Sequence, residues 1–212
     1  KAWNPFYCQS FDTTEDKLVN IGLPRIDHLL ETEEENRQKV LSAYPELLEK
    51  QVILYAPTFR RNIELRWESL LEEVDFEKYA LIIKGHPNQK IECEKEGVFL
   101  CPEFKAVDLL SVCDYLITDY SAIALEAAVL NKKTYYYLYD FEEYTEKNGI
   151  NVSPFDSMPG CAFRSAADLM RDLESGNYRQ EVLENYRKKY LPENLGTSAE
   201  QLSDFVLRRI ER

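Results

Sequence analysis

Apolar residues along the chain form short runs rich in Val, Ile, Leu and Tyr, separated by segments in which they recur at helical spacing. Such runs are typical of strands buried on both faces of a sheet, and the segments between them are typical of amphipathic helices. The strand-like runs are "QVILYAP" (51–57), "YALIIKG" (79–85), "GVFL" (97–100), "DYLITD" (114–119) and "KTYYYLY" (133–139). The helix-like segments are "ELRWESLLEEV" (64–74), "AVDLLSV" (106–112) and "AIALEAAVL" (122–130). This alternation predicts an α/β fold, a Rossmann-like parallel sheet with right-handed crossovers and flanking helices.

The two ends of the chain differ from this central pattern. After residue 160 three helical segments follow, at 165–175, 179–190 and 198–212, and we expect them to pack over one side of the sheet. Near the start, Gly22 and Pro24 predict a turn, and the acidic stretch 31–38 predicts the solvated start of a helix. We therefore expect an inter-domain linker over 1–35 and one α/β domain over 36–212.

Composition and charge narrow the classes of protein. With 44% hydrophobic and 30% charged residues, the 212-residue chain has the profile of a soluble globular domain. Its net charge of −12 and its dispersed Lys and Arg residues disfavour nucleic acid as a partner. No run approaches the roughly 20 apolar residues of a membrane span, and no signal-like segment opens the chain. We expect a cytoplasmic protein, and a piece of a longer one.

The cysteines predict neither a metal site nor a disulfide framework. Their number is odd and no C-x-x-C pair occurs, whereas both kinds of site need closer or paired spacing. We expect free, mostly buried thiols, no metal ligands and no cofactor. The five residues are Cys8, Cys93, Cys101, Cys113 and Cys161.

Polar side chains follow the predicted strands, at the edge where open parallel sheets bind ligands. The side chains form four groups, and three of these groups contain hydrogen-bond donors suited to phosphate. Arg60 and Lys84 add positive charge suited to a diphosphate. His86, on a rigid turn before a proline, can donate to a phosphate oxygen or shuttle a proton, and can equally be a structural hydrogen bonder. The groups are 57–60, 84–88, 118–121 and 140–143.

The hinge Asp119-Tyr120-Ser121 joins a predicted strand directly to a predicted helix. Ser121 is placed to cap that helix, whose free N–H groups and dipole would attract an anion. A cap that binds nothing is the open alternative. A nucleophilic serine is disfavoured, because Asp119 and Ile123 stand where a hydrolase elbow has glycines and both histidines lie upstream. The first strand is followed by no glycine, which excludes dinucleotide-binding and P-loop motifs.

Four stretches, in the same order, resemble one family, the CDP-glycerol and CDP-ribitol phosphotransferases that build teichoic-acid-like and capsular polymers. Weaker similarity follows at 139–144, 158–169 and 194–206, so the resemblance runs from about residue 18 to the end. The four stretches are "GLPRIDHL" (22–29), "ILYAPTFR" (53–60), "KGHPN" (84–88) and "DLLSVCDYLITDYSAIALE" (108–126).

The resemblance implies the carboxyl-terminal, nucleotide-donor half of a GT-B enzyme, in which two Rossmann-like domains face each other. In such an enzyme Thr118, Asp119 and Ser121 would cradle the donor diphosphate. His86 would be the catalytic residue that stabilises charge on it, and Glu126 would bond the ribose hydroxyls. The other residues implied in donor binding are Thr58, Arg60, Lys84, Pro87, Tyr120 and Ala122.

The implied reaction is attack of an acceptor polyol hydroxyl on the β-phosphorus of CDP-glycerol or CDP-ribitol, with release of CMP. Two positions depart from the family pattern. Ala122 replaces a second serine, which removes a hydroxyl and leaves the backbone N–H. The W-H-G-like stretch expected to carry the catalytic base is absent, and His28 does not match it. The chain alone is therefore expected to bind donor without turnover.

The partners implied are the CDP-polyol donor and, through a missing amino-terminal domain, a polyol-phosphate polymer acceptor. The resemblance leaves open a peripheral association of the full-length protein with the inner face of the cell membrane. Two other interpretations stay open. One is a GT-B glycosyltransferase that uses a nucleotide sugar. The other is a non-enzymatic Rossmann-like interaction module, with the tyrosine-rich 134–144 as an interface, although we expect those tyrosines in the core and at the sheet edge.

Overall fold

The structure, a computed structural model, describes residues 1–58, 66–85 and 91–210. Each predicted strand run contains a strand, and each predicted helical segment contains a helix. The strands are β1 (Gln51–Tyr55), β2 (Tyr79–Ile83), β3 (Val98–Phe99), β4 (Tyr115–Thr118), β5 (Lys133–Tyr137) and β6 (Ala162–Phe163). The helices are α1 (Asn4–Phe11), α2 (Pro24–Ala43), α3 (Glu68–Glu73), α4 (Ala106–Leu109), α5 (Ile123–Val129), α6 (Phe141–Asn148), α7 (Pro154–Ser157), α8 (Ala166–Glu174), α9 (Gln180–Tyr190) and α10 (Ser198–Ile210).

Over the described residues the strands form one parallel sheet in the order β3-β2-β1-β4-β5-β6. This is the strand order of the doubly wound Rossmann fold. The chain runs outwards from β1 to β3 and then crosses back to β4, which pairs with the other side of β1. The direction of winding therefore changes between β1 and β4, and the crevice outside their carboxyl ends is where such sheets bind ligands.

Both faces of the sheet are covered, which explains the continuous apolar runs. In β1, Ile53 and Tyr55 belong to one buried cluster, whereas Val52 and Leu54 belong to a second. Tyr135 and Tyr137 of β5 are buried in the first cluster, so the expectation that the tyrosine-rich stretch is core is confirmed for them. Burial on both faces accounts for the near absence of polar residues within the strands.

The carboxyl-terminal helices divide into two groups. Residues of α8 and α9, such as Leu169 and Leu183, are buried in the same cluster as Tyr135, as expected of helices on one side of the sheet. The last helix, α10, instead lies against α2. Its apolar residues Leu202 and Ile210 are exposed. The prediction that all three segments pack over one side is therefore wrong for α10.

The first 35 residues contain α1 and the first half of α2. Pro24, predicted to mark a turn, is the first residue of α2, a position that proline's fixed φ and missing N–H favour. The acidic stretch 31–38 lies inside α2, so the predicted helix start there is wrong. The expected boundary between a linker (1–35) and a domain (36–212) also falls inside α2, and that division stays a prediction.

All five cysteines are free, as expected, and three of them are buried. Burial raises the pKa of the Cys101 and Cys161 thiols to about 11. It raises the pKa of Cys113 to about 12. These thiols therefore stay protonated and unreactive near neutral pH. In the described part of the chain, no helix is both long enough and apolar enough to cross a lipid bilayer.

Candidate functional site

The end of β4 is fastened to the segment that follows β1. Thr118 Oγ1 donates to the carbonyl oxygen of Ala56 at 2.8 Å. The carboxylate of Asp119 accepts from the hydroxyl of Thr58 at 2.6 Å and from its backbone N–H at 2.8 Å. It also accepts from the N–H of Tyr120 at 2.6 Å. Thr118 and Asp119 thus join the two strand ends at the switch point and position the hinge.

Ser121 and Ala122 follow at the start of α5. The helix begins at Ile123, so Ala122 rather than Ser121 occupies the N-cap position. Ser121 Oγ accepts from the N–H of Ile123 at 3.4 Å, beyond the usual range of a hydrogen bond to a backbone N–H. The predicted serine cap is therefore weak and displaced by one residue. Both residues line the cleft described below.

Tyr120 connects the hinge to α6. Its hydroxyl donates to Asp140 Oδ1 at 3.1 Å. Its ring stacks on Tyr144, with 3.7 Å between ring centroids and 9° between planes. This contact holds α6 close to the hinge and makes an aromatic wall beside it.

A cleft of about 970 Å³ opens beside the hinge, a size within the range of small-molecule sites. Its walls are formed mainly by α1 and the segment that leads from it to the start of α2, by the hinge and the start of α5, by the loop 149–152, and by the end of α9 with the segment after it. Further residues of β5, α6, α7 and α10 complete the lining. Arg25, Lys188 and Lys189 line it, although the chain as a whole carries a charge of −12. Of the acidic lining residues, Asp119 already accepts three protein hydrogen bonds. The cleft is therefore suited to an anionic ligand.

Glu126 lies on α5, is not among the residues that line the cleft, and pairs with Arg25 at the start of α2. Glu126 Oε1 is 2.9 Å from Arg25 Nε. The second carboxylate oxygen, Oε2, is buried and has no hydrogen-bond partner. Burial raises the pKa of Glu126, and the charge of Arg25 opposes that shift only in part. Arg25 stood in the family-like stretch of the sequence but was not among the predicted site residues.

The other residues of that first stretch hold α10 in place. Asp27 Oδ2 accepts from the N–H of Ala199 at 2.7 Å, which caps the helix from a neighbouring element. Gly22 has a φ of +93°, and a Cβ there would lie 2.5 Å from Ser198 Oγ. The "GLPRIDHL" stretch therefore makes two kinds of contact. Gly22 and Asp27 contact the start of α10, and Arg25 forms the ion pair with Glu126.

The remaining predicted site residues do not all converge on the cleft. The ammonium of Lys84 donates to the carbonyl oxygen of Cys101 at 2.8 Å, beyond β2. Arg60, His86 and Pro87 lie outside the described residues. His28 is exposed on α2. Among the residues that the structure describes, no group of three His, Cys, Asp or Glu side chains could hold a metal ion.

The strand order and the cleft beside the hinge are those of a Rossmann-type α/β domain. Similar folds are found in solved structures, including the wall teichoic acid polymerase TagF (TM-score 0.77, 20% identity, 100% of this chain and 55% of that one). A UDP-GlcNAc 2-epimerase from Neisseria meningitidis is also similar (TM-score 0.62, 18% identity, 94% and 58%). The predicted fold class, a Rossmann-like parallel sheet flanked by helices as in GT-B folds, is confirmed.

The family model described as CDP-Glycerol:Poly(glycerophosphate) glycerophosphotransferase matches residues 2–208. The chain belongs to this family, and the resemblance of its four stretches is confirmed. It is 29% identical to a teichoic acid ribitol-phosphate primase of Bacillus spizizenii (95% of this chain, 56% of the relative). It is 30% identical to a teichoic acid glycerol-phosphate primase of Bacillus subtilis (93% and 53%). The chain thus spans about half the length of these relatives.

Proposed function

We propose that this chain is the donor-binding half of a CDP-polyol phosphotransferase. The enzyme would transfer a polyol phosphate from CDP-glycerol or CDP-ribitol to a growing teichoic-acid-like or capsular polymer and release CMP. The observation that carries the proposal is a cleft lined by cations at the carboxyl end of β4 in a Rossmann sheet, in a chain of this family. The relatives named as teichoic acid primases support the same transferase chemistry.

In the proposed reaction an acceptor hydroxyl attacks the β-phosphorus of the donor. A new O–P bond forms while the bond from that phosphorus to the oxygen shared with the α-phosphate breaks. The electron pair leaves with CMP, and a general base takes the hydroxyl proton. Positioning and donors around the transferred group lower most of the barrier. We assign the stabilising role to His86, and roles in donor binding to Arg60 and Pro87, on the family resemblance alone.

Several of the described residues would contribute to donor binding in different ways. Thr118 and Asp119 keep the hinge fixed to the end of β1, so the cleft wall does not have to be ordered when the ligand binds. Ser121 and Ala122 line the cleft, and the hydroxyl of Ser121 and the backbone N–H of Ala122 would donate to the diphosphate. The ribose contact expected of Glu126 stays a prediction, because its unpartnered oxygen is buried and Glu126 is not among the residues that line the cleft.

The proposal places the acceptor site and the catalytic base in an amino-terminal half that this chain does not contain. It also places the enzyme in the cytoplasm, with any peripheral membrane contact made by the full-length protein. No cofactor is proposed.

Calorimetric titration with CDP, CDP-glycerol, CMP and UDP in one buffer tests the proposal. We expect saturable binding of CDP and CDP-glycerol, weaker binding of UDP, and at least about tenfold weaker CDP binding after His86→Ala, because a hydrogen bond to a charged group is lost. His28→Ala is the matched control, because His28 is the chain's other histidine and is exposed on α2.

Each other outcome has a distinct meaning. Preference for UDP would favour the nucleotide-sugar transferase interpretation over the CDP-polyol one. Equal loss in both histidine variants, or loss in neither, would remove His86 from the site. Absence of heat with every nucleotide would contradict donor binding by this half and favour the interaction-module interpretation.

A further inference from the structure

We infer that Arg25 is an anion-binding residue of the cleft, which presents its guanidinium to a phosphoryl oxygen, and that Glu126 is the buried carboxylate that orients it. The inference rests on the proposed function for the identity of the anion, a nucleoside diphosphate. It gives Glu126 a positioning role instead of the ribose contact that the family resemblance implies.

The geometry of the pair leaves the binding end of Arg25 available. The contact with Glu126 uses Nε at 2.9 Å. The two terminal NH₂ groups make no hydrogen bond to any described residue. The side chain of Arg25 is 54% exposed, whereas that of Glu126 is 12% exposed. One end of the guanidinium is therefore held by a buried partner while the other end is free to meet a ligand.

A purely structural ion pair does not explain this arrangement well. The start of α2 is already held against α5 by apolar packing of Ile26 and Leu29 on Val129. Burying a carboxylate costs desolvation free energy, and burial does raise the pKa of Glu126. A half-exposed arginine repays little of that cost. A costly buried carboxylate is better explained if it fixes the direction of a binding residue.

The position of Arg25 matches the ligand chemistry. It lines the same cleft as Ser121 and Ala122, at the carboxyl edge of the sheet. A guanidinium forms paired hydrogen bonds with phosphate oxygens, so a fixed orientation increases both affinity and specificity. Lys188 and Lys189 on another wall of the cleft add positive charge around the same ligand.

The first experiment compares Arg25→Gln with Arg164→Gln by calorimetric titration with CDP, cytidine and inorganic pyrophosphate. Arg164 is a matched control because it also pairs with a glutamate, Glu142, at 2.7 Å and is 55% exposed, but it lies outside the cleft lining. We expect Arg25→Gln to weaken CDP and pyrophosphate binding about 10- to 100-fold and to leave cytidine unchanged. Arg164→Gln should leave all three ligands unchanged.

Two further variants separate binding from positioning. Arg25→Lys keeps the positive charge but loses the planar guanidinium that forms paired hydrogen bonds. It should therefore bind CDP more tightly than Arg25→Gln and less tightly than the unchanged protein. Glu126→Gln should weaken CDP and pyrophosphate binding alike, because it releases the guanidinium from its fixed direction. If Glu126→Gln weakens CDP and cytidine but not pyrophosphate, Glu126 bonds the ribose and the positioning role is wrong. Melting temperatures of all variants show whether each remains folded.

The inference and the proposed function fail separately. If the unchanged protein binds CDP and Arg25→Gln binds it equally well, the inference is wrong and the donor function stands. If the protein binds pyrophosphate through Arg25 but does not bind CDP, the anion site stands and the donor function is wrong. If it binds neither ligand, both are wrong.

Discussion

Asp119 is the residue on which the geometry of the hinge depends. Asp119 is 2% exposed, and its carboxylate accepts from Thr58 and Tyr120. Each of these hydrogen bonds replaces water that burial removed. The sequence places Asp119 directly after a strand. It does not reveal that the carboxylate meets Thr58, 61 positions away. A family motif therefore located the residue, while its partner became visible only in the fold.

Replacing Asp119 with Asn should destabilise the protein by about 1–3 kcal/mol, because an amide has one acceptor oxygen and its NH₂ would face the donors of Thr58 and Tyr120. Urea unfolding measures this free energy. Asp168→Asn is the control, since Asp168 forms an exposed ion pair with Arg171, and it should cost less than about 1 kcal/mol. Equal stability of the two variants would contradict the role given to Asp119.

Among the secondary-structure elements, α10 depends on contacts with the "GLPRIDHL" stretch that the sequence does not reveal. Asp27 caps α10 from α2, and most of α10's apolar residues are exposed, so this helix has few other attachments. A helix held mainly through its first turn can open without unfolding the sheet.

Asp27→Ala should therefore loosen α10 and leave the rest of the fold intact. We expect hydrogen exchange of the α10 amides to become faster by about fivefold, because loss of a cap costs about 1 kcal/mol. The amides of β4 should keep their protection. Asp16→Ala, at an exposed site, is the matched control. Faster exchange throughout the sheet would show that Asp27 supports the whole domain rather than α10.

The accuracy of the predictions differs among elements for a physical reason. The runs that contain β1, β2, β4 and β5 are mostly apolar because both faces of the sheet are covered. The start of α2 was missed because Pro24 can open a helix as well as a turn. The two-residue strand β6 (Ala162–Phe163) was not predicted, whereas the equally short β3 lies in the run "GVFL", whose large apolar residues are typical of a strand. The pairing of β6 with β5 is a tertiary contact.

For the molecule as a whole, the proposal that donor binding and the catalytic base lie in different halves of the enzyme has a direct consequence for turnover. The chain spans about half the length of the relatives it matches, and its sequence lacks the W-H-G-like stretch on which the resemblance leads us to expect the base. The charge-stabilising part of the site and the base would then lie in different halves.

We expect this protein to release no CMP from CDP-glycerol above the buffer background, even with a polyol-phosphate acceptor and at donor concentrations that saturate binding. Chromatographic measurement of CMP over several hours tests this. The control is the same assay on the full-length glycerol-phosphate primase of Bacillus subtilis. Release of CMP by this chain would mean that one of its own residues acts as the base, with His86 and His28 the first to be replaced.

Trp3 contributes to the wall of the cleft and packs on Tyr190, with 5.2 Å between ring centroids. Its indole N–H donates to the backbone carbonyl of the same tyrosine. The chain contains two tryptophans, and the other, Trp67, precedes α3 and does not line the cleft. Because indole emission responds to the polarity and quenching of its surroundings, the protein carries an intrinsic fluorophore at the mouth of its own site. A Trp67→Phe variant would make that emission a label-free optical signal of occupancy.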